Sequence, residues 1–352
     1  MGIDELLSKV KKKEDIFLIE KAYLFADARL SNIDYTDGNS IMQHVLAVAN
    51  TLLDFNADNL TIISALLYET INYGVSKEEI AQEFDSQVAN IAFGTATINN
   101  LEHYNSNDYE THLKETLSAS EENVRSLFIK LAERFYNMQN MQNLSKQQQR
   151  NIAEETLNVL TPAASRLGLN FIRSKLEDLC LYYLKPEIYN EILERLNGTP
   201  SVLNTHLNNM KESISNLLAE NNINCTIKGR VKSIYSIYNK LCNGKSWEDI
   251  YDILALRILA EKDDDCTRIV DLIHSKYAFI PSRLKDYINS PKENMYQSIH
   301  TTIIGEDNRF YEIQVRTYEM NKTAENGSAS HRLYKKKNEL KSKKTIYNLI
   351  GK

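Results

Sequence analysis

Between Asp286 and Thr317 the chain reads DYINSPKENMYQSIHTTIIGEDNRFYEIQVRT, a dense run of carboxylates, amides, cations and tyrosines around two strand-like segments. The second segment, Phe310 to Thr317, alternates strictly. A strand repeats its facing every two residues, so Glu312, Gln314 and Arg316 share one face while Tyr311, Ile313 and Val315 share the other. A carboxylate, an amide and a guanidinium on one face suit a divalent metal and a phosphate group. Upstream, Arg230, Lys232, Ser236 and Lys240 follow at spacings of 2, 4 and 4, which puts Ser236 and Lys240 on one helical face. Such a face suits a triphosphate, and an arginine also stacks on a purine. Asp252 opens a strand of Ile, Leu and Ala, where an unpaired carboxylate is costly. The plain alternative for Asp252 and Glu312 is a strand-edge carboxylate paired with a nearby Lys or Arg.

Four segments carry a family resemblance: GRVKSIYSIYNK from Gly229 to Lys240, DILALRI from Asp252 to Ile258, PKENMYQSIHTT with EIQVRT from Pro291 to Thr317, and AENGSASHRLYK from Ala324 to Lys335. In that order and spacing they resemble the nucleotidyltransferase-like synthetase domain of RelA/SpoT homologues, the makers of the alarmone (p)ppGpp. The resemblance implies transfer of the β,γ-pyrophosphate of ATP to the 3′-hydroxyl of GDP or GTP. It implies Mg²⁺ held by Asp252 and Glu312, with Glu312 also acting on the 3′-hydroxyl. Arg230, Lys232, Ser236, Lys240 and Arg257 fall at ATP-binding positions. Tyr296 matches the tyrosine that stacks on the acceptor guanine, and Asn294, His300, Lys285, Gln314, Arg316 and His331 are the other acceptor-side positions. If residues 252–257 formed one regular strand, Asp252 and Arg257 would face oppositely, so one of them must sit beyond the regular stretch. Arg283 to Asp286 has the basic RxKD form usual in bifunctional relatives, and Met295 stands where the family usually has Gly. The first, beside a degenerate hydrolase, leaves the choice between GDP and GTP and the metal demand open; the second bears on acceptor geometry, because Gly permits φ > 0 and close approach of a ligand.

The resemblance extends to the N-terminal half. There the family has a helical HD-type hydrolase whose metal, suited to manganese, is held by histidine and aspartate. The matching positions are His44, Tyr68 and Glu69 in place of a His-Asp pair, and Glu133 in place of an Asp. The acidic pair expected three residues on is Asn72-Tyr73. A phenol with an ordinary pKa of about 10 is a poor ligand at neutral pH. The expectation is a helical scaffold that has lost hydrolysis and takes no Mn²⁺.

The elements that must position these residues are legible from periodicity. Nearly all of residues 5–195 reads as helix, as in Val124, Leu127, Phe128, Leu131, Phe135 and Met138 at helical spacing. A break at Asn197 to Pro200 precedes one more amphipathic helix, and strand-like runs follow at 223–229, 252–260, 299–305 and 309–317, with helices over 231–243 and 264–276. The predicted organisation is a mostly α HD-like domain over 1–195, a connecting helix over 196–223, an α/β (α+β) synthetase domain with a central mixed sheet over 224–340, and a basic tail over 341–352.

The 352 residues carry a net charge of −5, unevenly spread. Residues 1–224 hold 19 Lys and Arg against 31 Asp and Glu, whereas residues 225–352 hold 23 against 16. A basic C-terminal half suits polyanionic ligands such as ATP and GDP or GTP. Four cysteines without CxxC spacing, no apolar run of membrane length and no signal-peptide core point to the cytoplasm, without a membrane partner. Long relatives continue into regions that sense the ribosome and tRNA, so this chain is either a fragment of such a protein or a shorter complete one. Two other readings compete: a pyrophosphokinase acting on an adenine nucleotide or a tRNA 3′ end, and a nucleotide-binding regulatory pseudoenzyme.

Overall fold

The computed structural model describes residues 2–10, 12–34, 40–101, 121–290 and 296–326. Asn294, Met295, His331 and the predicted tail over 341–352 lie outside the described residues. The chain divides between Leu184 and Lys185 into two compact units. No described helix is long and apolar enough to cross a membrane.

The first unit is helical, and its core gathers the periodic apolar positions of its helices. Val124, Leu127, Phe128, Leu131 and Met138 of the helix Glu121–Gln139 are fully buried, each such side chain contributing roughly 1.5–3 kcal/mol by its removal from water. Ser40 opens the helix Ile41–Asp54 with a capping box: its hydroxyl accepts from the Gln43 amide and its own amide donates to the Gln43 side chain. Asp58 caps Asn59–Leu67 and also accepts from Arg125, 2.8 Å away, which pins that helix to Glu121–Gln139. The helical run that begins at Asn59 changes character at Tyr68, where Tyr68–Tyr73 winds as a 3₁₀ segment and stops at Gly74, φ 90°. A Cβ on Gly94 would stand 2.7 Å from the Ser126 hydroxyl, so glycine permits the close approach of Ser86–Leu101 to Glu121–Gln139.

The second unit begins earlier than the sequence division at 195. The helix Pro186–Leu196 belongs to it because Arg195 packs over Trp247, and Arg309 donates to the carbonyls of Leu196 and Asn197 at 2.9 and 2.8 Å. Among the described residues five strands follow: β1 Cys225–Val231, β2 Leu254–Ala260, β3 Lys285–Asp286, β4 Ile299–Ile304 and β5 Phe310–Thr317, with β3 absent from the sequence expectation. They form one mixed sheet in the order β1-β2-β5-β4-β3, in which only β2 and β5 run parallel. A parallel neighbour requires a crossover, and the helix Asp263–Lys276 lies on that path. It buries Cys266, Ile269, Val270 and Ile273.

Register decides what each sheet face carries. Gly229 pairs with Leu256 and Leu256 with Ile313, an apolar row against which the helix Pro200–Glu220 packs. A Cβ on Gly229 would meet Leu207 Cδ2 of that helix at 3.0 Å, which explains the glycine beside Arg230. The opposite face holds two polar rows. Arg230, Ala255, Glu312 and Thr302 make one; Lys228, Arg257, Gln314, His300 and Lys285 make the other.

Candidate active site

Asp252 stands two positions before β2, with Ile253 between, and this settles its facing. The regular strand starts at Leu254, so Arg257 falls on the polar face with Glu312 while Asp252 is free of the alternation. The Lys232 amide donates to the Ile253 carbonyl at 2.8 Å, holding the two segments together just outside the ladder. Ser233 then caps the helix Ile234–Cys242, whose last turn supplies Lys240. This helix buries Ile234 and Ile237, whereas Tyr235 and Tyr238 are half-buried, with Tyr238 hydrogen-bonded to Lys185. The reason is the phase of the helix: a shift of one position rotates a side chain by about 100°.

Two ammonium groups converge on Asp252. Lys240 Nζ lies 2.9 Å from both carboxylate oxygens and Lys232 Nζ lies 3.0 Å from Oδ2. Burial pushes the Asp252 carboxyl up, but the hydrogen bonds from Lys240 and Lys232 outweigh it and hold it below the usual carboxylate range. Lys232 shifts the other way from what a simple pair gives. Its burial lowers it despite Asp252, because it shares one carboxylate with Lys240 and also feels Arg230.

Glu312 sits at the centre of the polar face. His300 Nδ1 is 3.5 Å from Oε1, and Gln314 Nε2 donates to Oε2 at 3.2 Å. Burial raises the Glu312 carboxyl and Asp252 raises it further, yet the hydrogen bond and charge of His300, with Gln314, leave it below its ordinary value. The other imidazole nitrogen, Nε2, is 2.8 Å from the Tyr296 hydroxyl. The Tyr296 ring stands edge-on to Tyr287 at 6.2 Å, and the Arg316 guanidinium lies 5.7 Å from its centroid. Glu312, His300 and Tyr296 thus form one connected line from sheet centre to loop.

A cavity of ≈ 240 Å³ joins these groups, walled by Lys240, Asp252, Arg283, Lys285, His300 and Glu312 among others. Of the other predicted residues, Arg230 is exposed at the end of the Glu312 row, while Ser236 lies in the first helical turn, where its hydroxyl accepts from Ser233. Arg316 is 3% exposed. Tyr296 is not on the cavity wall and connects to it through His300. Sequence reading missed Tyr251 and Tyr287, which line the cavity. Tyr251 carries the Arg283 guanidinium 3.8 Å above its ring and meets Phe310 edge-on at 5.2 Å. Their only signal was adjacency to Asp252 and Asp286, since cross-strand position is invisible to a one-dimensional period.

Asp252 and Glu312 offer hard carboxylate oxygens to one cavity, the donor type that Mg²⁺ takes when phosphates complete its shell. Their donor set fits that ion. In the helical unit the picture differs. His44 Nε2 is 3.9 Å from Glu133 Oε1, while Lys130 Nζ, 3.4 Å away, and Asn99 Nδ2, 2.9 Å away, approach Oε2. Lys130 is 2% exposed and Tyr68 fully buried. Burial raises the Glu69 carboxyl; Asn72 opposes that, Glu133 adds to it and Lys130 opposes it. His44 and the Lys130 ammonium thus both approach Glu133, and Glu69 feels Glu133 and Lys130. Among the described residues no group of three or more His, Cys, Asp or Glu is placed to hold a metal ion.

The profile "Region found in RelA / SpoT proteins" matches residues 229–339, and an HD-domain profile matches residues 22–170. A "Probable GTP pyrophosphokinase" of Mycobacterium leprae is 34% identical over 325 residues, covering 92% of this chain and 41% of that protein. The "Bifunctional (p)ppGpp synthase/hydrolase RelA" of Mycobacterium tuberculosis is 34% identical over 329 residues, covering 93% and 44%. The chain spans less than half the length of these curated relatives. A crystal structure of small alarmone synthetase 2 from Bacillus subtilis is 27% identical, covers 45% of this chain and 92% of its own, and has a TM-score of 0.33. With both profiles present in sequence order and relatives aligned along nearly its whole length, this chain carries an HD domain followed by the region found in RelA/SpoT proteins.

Proposed function

We propose that residues 224–340 form a GTP/GDP pyrophosphokinase that moves the β,γ-pyrophosphate of ATP to the 3′-hydroxyl of GDP or GTP. The observation that carries this reading is the meeting of Asp252 and Glu312 in one cavity with Lys240, Arg283 and Lys285. The chain's similarity to a GTP pyrophosphokinase and to a (p)ppGpp synthase/hydrolase supports it. In the reaction the 3′-oxygen bonds to the β-phosphorus, the bond between that phosphorus and the α,β-bridging oxygen breaks, and AMP leaves with that oxygen.

Each residue has a physical task. Lys240, Lys232, Arg230 and Arg257 hold and neutralise the ATP phosphates or stack on its base. Glu312, ionised at neutral pH, orients the 3′-hydroxyl and receives its proton. His300 holds Glu312 in place on one side and Tyr296 on the other. Tyr296 supplies a stacking surface for the acceptor guanine, and Lys285 and Arg283 meet the acceptor phosphates. Bound Mg²⁺, held by Asp252 and Glu312, would supply charge neutralisation at the transferring phosphates. Strict alignment of the two nucleotides accounts for most of the acceleration such a site can give.

The helical unit, on this reading, does not hydrolyse the product. Its donor set does not fit Mn²⁺: a buried phenol replaces an imidazole and the Lys130 ammonium stands beside Glu133. One assay tests both parts, using γ-labelled ATP with Mg²⁺ and GDP, GTP or no acceptor, then a chase with Mn²⁺. Labelled ppGpp or pppGpp that survives the chase is the expected result. Absence of product from either acceptor would sink the synthetase reading, and decay during the chase would sink the second part.

A further inference from the structure

β5 runs directly into the helix Tyr318–Asn326, so Asn321 stands one turn beyond the end of the strand. Its side-chain oxygen accepts from Arg316 Nη2 at 2.6 Å and from Arg257 Nη1 at 3.5 Å. The two arginines come from neighbouring parallel strands, β5 and β2. Arg257 lies in the polar row with Gln314 and His300, and Arg316 lies beside the Tyr296 ring. One oxygen therefore touches the fork that faces the ATP side and the fork that braces the acceptor platform. The chemistry of that oxygen matters. A carboxylate in its place would hold both forks but cancel a unit of positive charge, whereas an amide fixes their direction and leaves the charge for phosphate.

We propose that Asn321 is a positioning residue that aligns Arg257 and Arg316 together and so sets the affinity for both nucleotides. The inference rests on the pyrophosphate-transfer reading and on the side each arginine serves in it. The test is calorimetric binding of α,β-methylene-ATP and, separately, of GDP to the full chain, with melting temperature recorded for every variant. Asn321→Ala is expected to weaken both ligands about tenfold, the loss that follows when a charge-assisted hydrogen bond no longer orients its donor. Asn321→Asp keeps the oxygen. It is expected to bring GDP back to within about threefold of wild type while the ATP analogue stays weakened, with a shallower salt dependence because net positive charge is gone.

Wild-type affinities for both ligands in Asn321→Ala, or a loss confined to one ligand, would overturn the bridging role. Should Asn321→Ala fail to fold, Asn321→Asp decides alone, and wild-type binding with unchanged salt dependence overturns the proposal. Failure of the underlying reading looks different: wild type itself would bind neither nucleotide or would transfer no labelled pyrophosphate.

Discussion

Lys240 Nζ stands 2.9 Å from both oxygens of Asp252, a fork between the last turn of one helix and the residue that leads into β2. The carboxylate is held ionised there, and the lysine is held over the cavity. On the proposed reading, this pair keeps both charges in place before a polyphosphate arrives.

Removing the acid should separate chemistry from folding. Asp252→Ala is expected to abolish pyrophosphate transfer, at least about a hundredfold in kcat, a loss typical when one electrostatic contact to the developing charge is removed. Asp252 retains only part of its exposure, with a side chain 25% accessible, so its removal leaves Lys232 and Lys240 without their shared anion. Product formation by thin-layer separation, with circular dichroism as the folding control, checks this. Near-normal turnover would show that Asp252 is only structural.

Glu312→Gln keeps the shape of the side chain and removes its basicity. The expected outcome is a loss in kcat of about 10²–10⁴-fold, the range of general acid–base contributions, with nucleotide affinity changed far less. Glu312 is held below its ordinary pKa by His300 against its burial, so it stays ionised as pH falls toward the usual glutamate range. Activity lost on mild acidification above that range must therefore come from another group. A pH–rate profile whose acid limb vanished in Glu312→Gln would contradict this.

The Asp252 shift has a stability consequence whose sign is fixed. Its folded pKa is lowered, so it contributes stability that is present above the ordinary aspartate pKa and is lost as pH falls through the folded value. Denaturant midpoints for wild type and Asp252→Asn should converge below that window. A gap that stayed constant into strong acid would rule out linkage through Asp252.

In the helical unit Glu69 works in the opposite sense. Burial and Glu133 raise its folded pKa above the unfolded value, so stability falls as pH rises through that range. Glu69→Gln is expected to be more stable than wild type at neutral pH, with the advantage disappearing in acid. Lys130→Met tests the other half of the arrangement. Leaving the nearly buried Glu133 without its ammonium is expected to cost about 3–5 kcal/mol, read from urea unfolding, while Mn²⁺ leaves the wild-type melting temperature unchanged.

Gly229→Val probes the fold beneath the site. The new side chain starts 3.0 Å from Leu207, and overpacking of this kind costs about 1–3 kcal/mol. The denaturation midpoint should fall, and Gly229→Ala should fall less because only Leu207 must move.

Much of the polar face was legible in one dimension. Alternation alone put Glu312 and Gln314 together, and the strand register carries them on one face with Arg257 and His300. The helices of the first half and four of the five strands follow from periodicity because each buries a repeating apolar set, a local property of the chain. The family motifs were likewise readable, since residue identity and spacing are properties of sequence.

What tertiary structure alone decided is every relationship between distant segments. That Asp252 stops short of the regular strand, that Lys232 and Lys240 close on it, and that Asn321 touches two arginines from different strands all depend on register and on where a strand begins. The two-residue strand β3 exists only because β4 lies beside it. The ammonium of Lys130 beside Glu133 could not be read from helical spacing, which places the two residues one turn apart but says nothing of their burial. Local pattern determines which face of an element is apolar; which polar groups then meet across the gap is settled by packing, because only packing removes the water that would otherwise separate them.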